Sequence, residues 1–305
     1  MSNRVIPSRA GGEESRAHGR LRRHSERDPS PSARLRMTPV LVQCALILGA
    51  IATLTPLLWM LSASFMPSGE ATLYPPPLLP TAPTLVHYRD LFARLAFGRT
   101  FMNSMIVTCG VTFISLVLNS MAGYAFAKLR WRGRDRLFAL LVAAMAIPLQ
   151  VGMLPLFLFL KNMHLVNSYW GVMLPSLATL FGIFLMRQFM IGIPDDVINA
   201  ARIDGASEFG IYWRIILPLS LPVLVTLAIF QFMSIWNDFM WPLIVLTDEA
   251  KYTLPVAMAS LSGEHAQDVE LMMAGSVVTV TPVLVLFVLL QRYYIAGLMA
   301  GGVKG

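Results

Sequence analysis

Side chains able to bind a solute, move a proton or hold a metal are scarce along most of this 305-residue chain, and several of them sit inside long apolar runs. Asn119 and Ser120 lie in one run, Gln150 between Pro148 and Pro155 in a second, and Gln231, Asn237 and Asp238 in a third. Amides can line a path for a polar solute, or they can bridge neighbouring helices. Both readings stay open for Asn119 and Gln231. Gln150 is better placed for a path, because two prolines break the local helix and can open a polar-lined kink. Asp238 lies near the end of its run, where it either meets water or faces a solute. An enzyme would need a nucleophile with its base, or paired carboxylates, converging at one depth. The apolar runs offer almost no acid beyond Asp238. Cys44 and Cys109 read as small hydrophobes, so neither a disulfide nor a metal site is expected. A G-x-x-x-x-G-K-[ST] phosphate loop is missing, and none of the four lysines follows a glycine.

The densest functional pattern lies outside those runs, between Pro194 and Pro218. Asp195 or Asp196 can cap a short helix and favour its positive end. Asp204-Gly205 supplies a turn, with Gly free to take positive φ, and Ser207 can cap a second short helix that runs to Leu217-Pro218. Val197, Ile198 and Ala201 recur at helical spacing and form a small apolar face, while Ala200, Ala201 and Ala206 permit close approach by another surface. Such a segment either docks into a groove on a partner or folds back on its own bundle.

The elements that must carry these residues are membrane spans. Hydrophobic residues make up 56% of the chain and charged ones 13%, against about 45–50% and about 25% in ordinary soluble domains. Near charge-free stretches of about 20 residues are long enough to cross the hydrocarbon as helices. Six are expected, over about 39–62, 102–126, 137–160, 170–189, 217–245 and 273–293. The Pro-rich stretch Tyr74–Pro80 makes the first connection an exposed loop. Residues 1–37 form a basic tail without apolar periodicity and are expected to be disordered. Met37, just before the first run, reads as the native start; intact mass showing residues 1–36 would sink that expectation.

The net charge of +7 is placed as topology information rather than as a nucleic-acid surface. Nine of the 24 Lys and Arg lie in residues 1–36, and five more fall between Lys128 and Arg136. Both clusters favour the cytoplasm. The predicted orientation has both termini, the Lys128–Arg136 loop and residues 191–218 inside, with 66–100, 161–168 and 246–272 outside. Arg89, Arg94 and Arg99 in the first outer loop run against it. Trp236 and Trp241 read as interface anchors, although such rings also stack on sugars.

Asn199-Ala200-Ala201-Arg202-Ile203-Asp204-Gly205-Ala206, followed by Ile215-Ile216-Leu217-Pro218, resembles the EAA loop through which ABC-importer permeases meet their ATPase subunits. The likeness extends over about residues 40–305, through Met102-Asn103-Ser104, Trp236–Pro242, Gln291–Tyr294 and Gly297–Gly305. That set is similar to the MalG-like permeases of maltose-type carbohydrate importers. The resemblance implies an all-α membrane fold, a type I importer permease of six transmembrane helices with a cytoplasmic coupling helix. It divides the chain into the tail 1–37 and a permease domain 38–305, with the coupling segment at 191–218 and a cytoplasmic C-terminal tail at 294–305.

Carried over residue by residue, the implied ATPase-coupling contacts are Asn199, Ala200, Ala201, Asp204, Gly205 and Ala206. Gly301, Gly302, Val303 and Lys304 form the implied C-terminal ATPase contact, and Gln150, Asn119, Asn237 and Asp238 are candidates for the pathway. Asn199 stands where the family carries Glu, so a charge-assisted contact becomes a neutral one, and coupling leans on the apolar face. The loop holding Ser260–His265 resembles the one that touches an external solute-binding protein. The implied partners are two ATP-binding subunits, a MalF-like second permease, that binding protein, a carbohydrate and lipid. ATP and Mg would be bound by the ATPase subunits and no cofactor by this chain, whose expected place is a bacterial inner membrane. A permease for a non-sugar solute is the nearest alternative; a secondary transporter or a purely structural subunit leaves the coupling segment unexplained.

Overall fold

The computed structural model describes residues 31–93, 95–264 and 268–302, and every regular element among them is helical. In chain order these are α1 (Pro31–Ala63), α2 (Val86–Ala93), α3 (Phe97–Lys128), α4 (Arg134–Ala144), α5 (Leu149–Asn162), α6 (Tyr169–Met173) and α7 (Leu180–Ile191). There follow α8 (Asp195–Ile203), α9 (Glu208–Ile211), α10 (Leu217–Leu219), α11 (Leu221–Trp236), α12 (Met240–Val245), α13 (Leu254–Glu264) and α14 (Val269–Gly302). A π-turn over Tyr212–Ile216 joins α9 to α10. Helix is the expected form for such a chain, since only helices and closed barrels satisfy every backbone polar group within lipid.

Contacts divide the chain into one unit ending at Leu54 and another over Thr55–Gly305. In the first, α1 starts at Pro31, so residues 31–37 of the expected disordered tail are helical. Thr53 shares its hydroxyl between the carbonyls of Gly49 and Ala50, keeping that polar group satisfied inside the helix.

Four described helical stretches are long and apolar enough to cross a membrane: Leu41–Ala63, Phe97–Lys128, Tyr169–Ile191 and Val269–Gln291. Two further helix pairs qualify only when taken together, each as a broken span or a re-entrant loop. Arg134–Ala144 and Leu149–Asn162 meet at 103°, and Glu208–Leu219 meets Leu221–Trp236 at 79°. The first break was foreseeable from Pro148, which cannot extend the preceding helix. The second, at Ser220, corrects the expectation of one continuous helix over 217–245. That stretch breaks again at Asn237–Phe239 before α12 begins.

Helix α3 is the spine of the larger unit. At about 1.5 Å per residue its 32 residues extend roughly 48 Å, and each of three apolar clusters takes a different part of it. Phe97 and Phe101 pack with Leu91, Trp236, Leu254, Leu261 and Leu271 at one end. Val107 and Val111 meet Leu160, Trp241 and Val245 further along. Leu116 and Tyr124 meet Met186, Met190, Ile198, Ile211 and Leu227 at the other end. The approach of α3 to α7 depends on Gly123, where an added Cβ would lie 2.5 Å from the Cβ of Met186 and 3.0 Å from the Arg187 nitrogen.

Buried polar groups fix the ends of the bundle. Asn103 donates to the carbonyls of Ala250 and Tyr252 and accepts from Tyr169, while Ser104 accepts from the Leu254 amide. These bonds bind residues 250–254, within the expected 246–272 loop, to the start of α3. That loop is not unstructured, since α13 occupies much of it with Leu254 and Leu261 buried.

Candidate coupling segment

At the far end of α3 the Pro194–Pro218 segment folds as two short helices with a turn between them. Neither Asp195 nor Asp196 caps α8 through its side chain, contrary to expectation; Pro194 holds the N-cap position and both acids fall in the first turn. Gly205 takes φ +82° and closes α8, a conformation that costs glycine little. The Ser207 hydroxyl caps α9, accepting from the Gly210 amide at 3.2 Å.

The apolar face of α8 is split. Ile198 (1% exposed) and Ala201 (9%) are buried in the chain's own core beside Ile211 and Ile216. Val197 and Ile203 point outward, Ile203 with 86% of its surface exposed. Five of the six predicted coupling residues, Asn199, Ala200, Asp204, Gly205 and Ala206, are therefore exposed, and Ala201 is not. The reason is geometric. Adjacent residues lie about 100° apart around a helix of 3.6 residues per turn, so Val197 and Ile198 cannot share one contact. Folding back is realised through Ile198 and Ala201, while Val197 and Ile203 leave the outer side of the same helix uncovered.

Three polar tethers fasten the segment to α3. The Lys128 ammonium, its side chain only 5% exposed, pairs with Asp195 at 2.6 Å and donates to the Ile193 carbonyl at 2.6 Å. Tyr124 donates to Glu208 Oε2 at 2.7 Å, and the Arg202 guanidinium holds both oxygens of the same carboxylate, at 2.7 and 3.2 Å. Arg202 also donates to Asn199 Oδ1. The hydroxyls of Ser120 and Tyr212 meet at 2.8 Å where the π-turn crosses α3. The hydrogen bond and charge of Lys128 hold the Asp195 carboxyl below the usual carboxylate range, and the bond to Glu208 raises Arg202 further. In the sequence Lys128 is a topology signal and Ser120 a polar residue in an apolar run, and no local pattern announces their partners 67 and 92 residues away. Beside the turn, Gly205, Ala206, Phe209, Trp213 and Arg214 line an open cleft of about 650 Å³.

The pathway candidates separate. Asn119 is fully buried between α3 and α7, donating to Ser115 and Thr179 side chains and accepting from the Thr179 amide. It is a bridge between helices, as is Gln231, which donates to the Ser176 carbonyl. Gln150 is exposed in the first turn of α5, just past the 103° bend. Asn237 is exposed and donates back to the Met233 carbonyl, and Asp238, just before α12, accepts from the Trp241 amide at 3.4 Å. Helix α5, which carries Gln150, lies against α12, and Asp238 precedes α12 by two residues. Trp241 and Trp236 are buried, with indole N–H groups bonded to the Gly171 and Thr279 carbonyls, so neither is an exposed interface anchor on this chain. Gly301 and Gly302 end α14. Val303, Lys304 and His265 lie outside the described residues. Among the described residues, no cluster of three or more His, Cys, Asp or Glu side chains could hold a metal.

Comparison with known proteins gives the chain a family. Residues 115–298 match the family described as the inner membrane component of binding-protein-dependent transport systems. The arabinooligosaccharide transport permease AraQ of Halalkalibacterium halodurans is 39% identical over 259 residues, 84% of this chain and 93% of that protein. The diacetylchitobiose uptake permease NgcG of Streptomyces coelicolor is 32% identical over 261 residues, 84% and 86% of the two chains. A chain of a bacterial ABC transporter that imports the acidic polysaccharide alginate superposes with a TM-score of 0.77 at 24% identity, over 88% of this chain and all of that one. The chain belongs to the binding-protein-dependent transport permeases, which gives it the importer-permease fold.

Proposed function

With membership of that permease family as the premise, we propose that this chain is one transmembrane half of an ATP-driven importer for a sugar or oligosaccharide. Support for the substrate class comes from relatives named for arabinooligosaccharides and diacetylchitobiose. In this reading α8, the Gly205 turn and α9 form the cytoplasmic coupling element. Val197, Asn199, Ala200, Ile203 and Ala206 face an ATP-hydrolysing subunit that supplies the phosphate loop this sequence lacks. Both termini and the Lys128–Arg136 run lie on the same, cytoplasmic side, with α13 and residues 246–253 outside. A second permease and an extracytoplasmic binding protein complete the assembly, and the Gly-rich end from Gly301 to Lys304 reaches toward the ATPase pair.

One observation carries the mechanism. The coupling element shares an apolar core with α3, α7 and α11 and is held to α3 by charge-assisted bonds. A push on its outer face therefore moves packed helices as a body, since close-packed interiors transmit displacement rather than absorb it. Closure of the ATPase pair would draw two such elements together and turn the cavity outward, where the binding protein releases its sugar; hydrolysis would reset it. Purified complex in lipid, titrated with the loaded binding protein and a panel of oligosaccharides, tests the reading. Sugar-dependent ATPase stimulation is the expected result. Failure of the chain to co-purify with any ATPase subunit would defeat it.

A further inference from the structure

The Pro-rich connection after α1 has an unusual combination of features. Ala71–Leu85 holds no charged residue and five prolines, at 75, 76, 77, 80 and 83. Its large apolar side chains turn outward: Leu73, Tyr74, Leu78, Leu79 and Leu85 are all exposed, Tyr74 to 98%. It is nonetheless a braced structure. The Phe65 carbonyl accepts from the Thr84 amide at 2.9 Å, closing the loop at its base. Two buried carboxylates brace it from inside, Glu70 accepting from the Thr81 amide and Glu270 from the Ala71 amide.

The depth of the loop can be read from two further bonds. Trp59 donates its indole N–H to the Pro77 carbonyl at 3.2 Å, and Ser62 donates its hydroxyl to the Leu78 carbonyl at 2.6 Å. Both donors lie within the span Leu41–Ala63. Trp59 is four residues before its end, about 6 Å back along the axis. Irregular backbone at that depth is costly unless its polar groups are satisfied or absent. Composition and bonding reduce that cost here. The run Pro75-Pro76-Pro77 brings no N–H at all, and the Pro77 and Leu78 carbonyls are taken by donors from α1.

We propose that the 73–79 tip is a wedge seated in the lipid interface at the Ala63 end of the first span, with Leu73, Tyr74, Leu78 and Leu79 as its lipid-facing side chains. Leu57, Leu58 and Leu61 are exposed on α1 beside Trp59 and Ser62, the two residues that hold the tip. Tyr suits such a position, with an apolar ring and a hydroxyl at headgroup level. The wedge would brace α1 against the bilayer from outside the bundle.

The test uses the permease assembled with its ATPase subunits in nanodiscs, without the binding protein. Spin labels are placed at Tyr74→Cys and Leu79→Cys in a Cys44→Ser, Cys109→Ser background, and collision with oxygen is compared with collision with a water-soluble nickel chelate. Leu58→Cys is the lipid reference and Glu249→Cys the water reference. The expected oxygen-to-nickel ratio at 74 and 79 rises to that at 58. A ratio equal to that at 249 would place the loop in water and overturn the proposal. Protection from both reagents would mean that a partner subunit covers the tip, and would overturn it equally. Leu73→Cys and Leu78→Cys repeat the reading if either first variant fails to assemble.

Discussion

Substituting Asp for each of two adjacent alanines, Ala200 and Ala201, should produce two different failures. Ala201 is 9% exposed and surrounded by Ile198, Ile211 and Ile216. An ionised carboxylate there has no cation placed to compensate it, because Arg202 is already committed to Glu208 and Asn199. An uncompensated buried charge costs roughly 3–5 kcal/mol, and α8 is held by only two buried side chains, Ile198 and Ala201 itself. Ala201→Asp should therefore lift α8 off its own bundle. Ala200 is exposed, and a surface substitution away from packing usually stays within about ±0.5 kcal/mol. Ala200→Asp should leave the fold intact and impair only the partner contact. The assay has two readouts: hydrogen exchange over residues 195–216 in the isolated permease, and retention of the ATPase subunits on an affinity column. Ala201→Asp should raise exchange before any partner is added. Ala200→Asp should leave exchange unchanged and lose retention. Equal exchange in the two variants would refute the assignment of Ala201 to the inner face.

Other perturbations follow from the same geometry. Gly123→Ala should force α3 and α7 apart and destabilise by about 1–3 kcal/mol, the usual range for overpacking, read as a lower thermal midpoint in detergent with ATPase retention unchanged below it. Asn119→Ala leaves the Thr179 amide without its acceptor and should cost about 0.6–2 kcal/mol, while Gln150→Ala should leave that midpoint unmoved; a transport defect at 119 without loss of stability would reverse these roles. Asp195 is held below the ordinary carboxylate range, so its tether to Lys128 should persist through mildly acidic pH and be lost only as pH falls through that lowered pKa, since folding favours the ionised form. Exchange at residues 195–198 against pH checks it, and Asp195→Asn should abolish the transition. Tyr124→Phe should weaken coupling more than stability, because Glu208 keeps its Arg202 partner; substrate-stimulated ATPase should fall while the thermal midpoint shifts little.

The spans were legible because lipid imposes length and composition on a sequence directly: near charge-free runs became helices, and Pro148 announced one bend. The break at Ser220 has the same punctuation in Pro222, two residues on, which cannot extend the preceding helix, whereas the π-turn over Tyr212–Ile216 has none, since large apolar residues are ordinary in membrane helices. The two-helix form of the coupling segment was also readable, from Ser207 and Asp204-Gly205. Its facing was not. Periodicity grouped Val197 with Ile198 and Ala201, but which part of that stripe turns inward depends on where α3 and the π-turn lie. The Asn119 bridge is similar: the amide was visible, and its closure depended on Thr179, 60 residues away. Tryptophans 236 and 241 illustrate the limit of composition, since an indole that suits an interface equally suits a core with a carbonyl in reach.

The tethers between α3 and the coupling segment also define what can be exchanged between related permeases. A graft of residues 194–218 alone would bring in a loop without its sockets, because Ser120, Tyr124 and Lys128 belong to a helix that ends 66 residues before the graft begins. Such a chimera could carry every outward-facing residue of its donor and still fail to transmit force. The modular unit is discontinuous in sequence: the last three turns of α3 and the segment they hold would have to travel together, and recombination that respects the visible loop boundary would cut the unit in half.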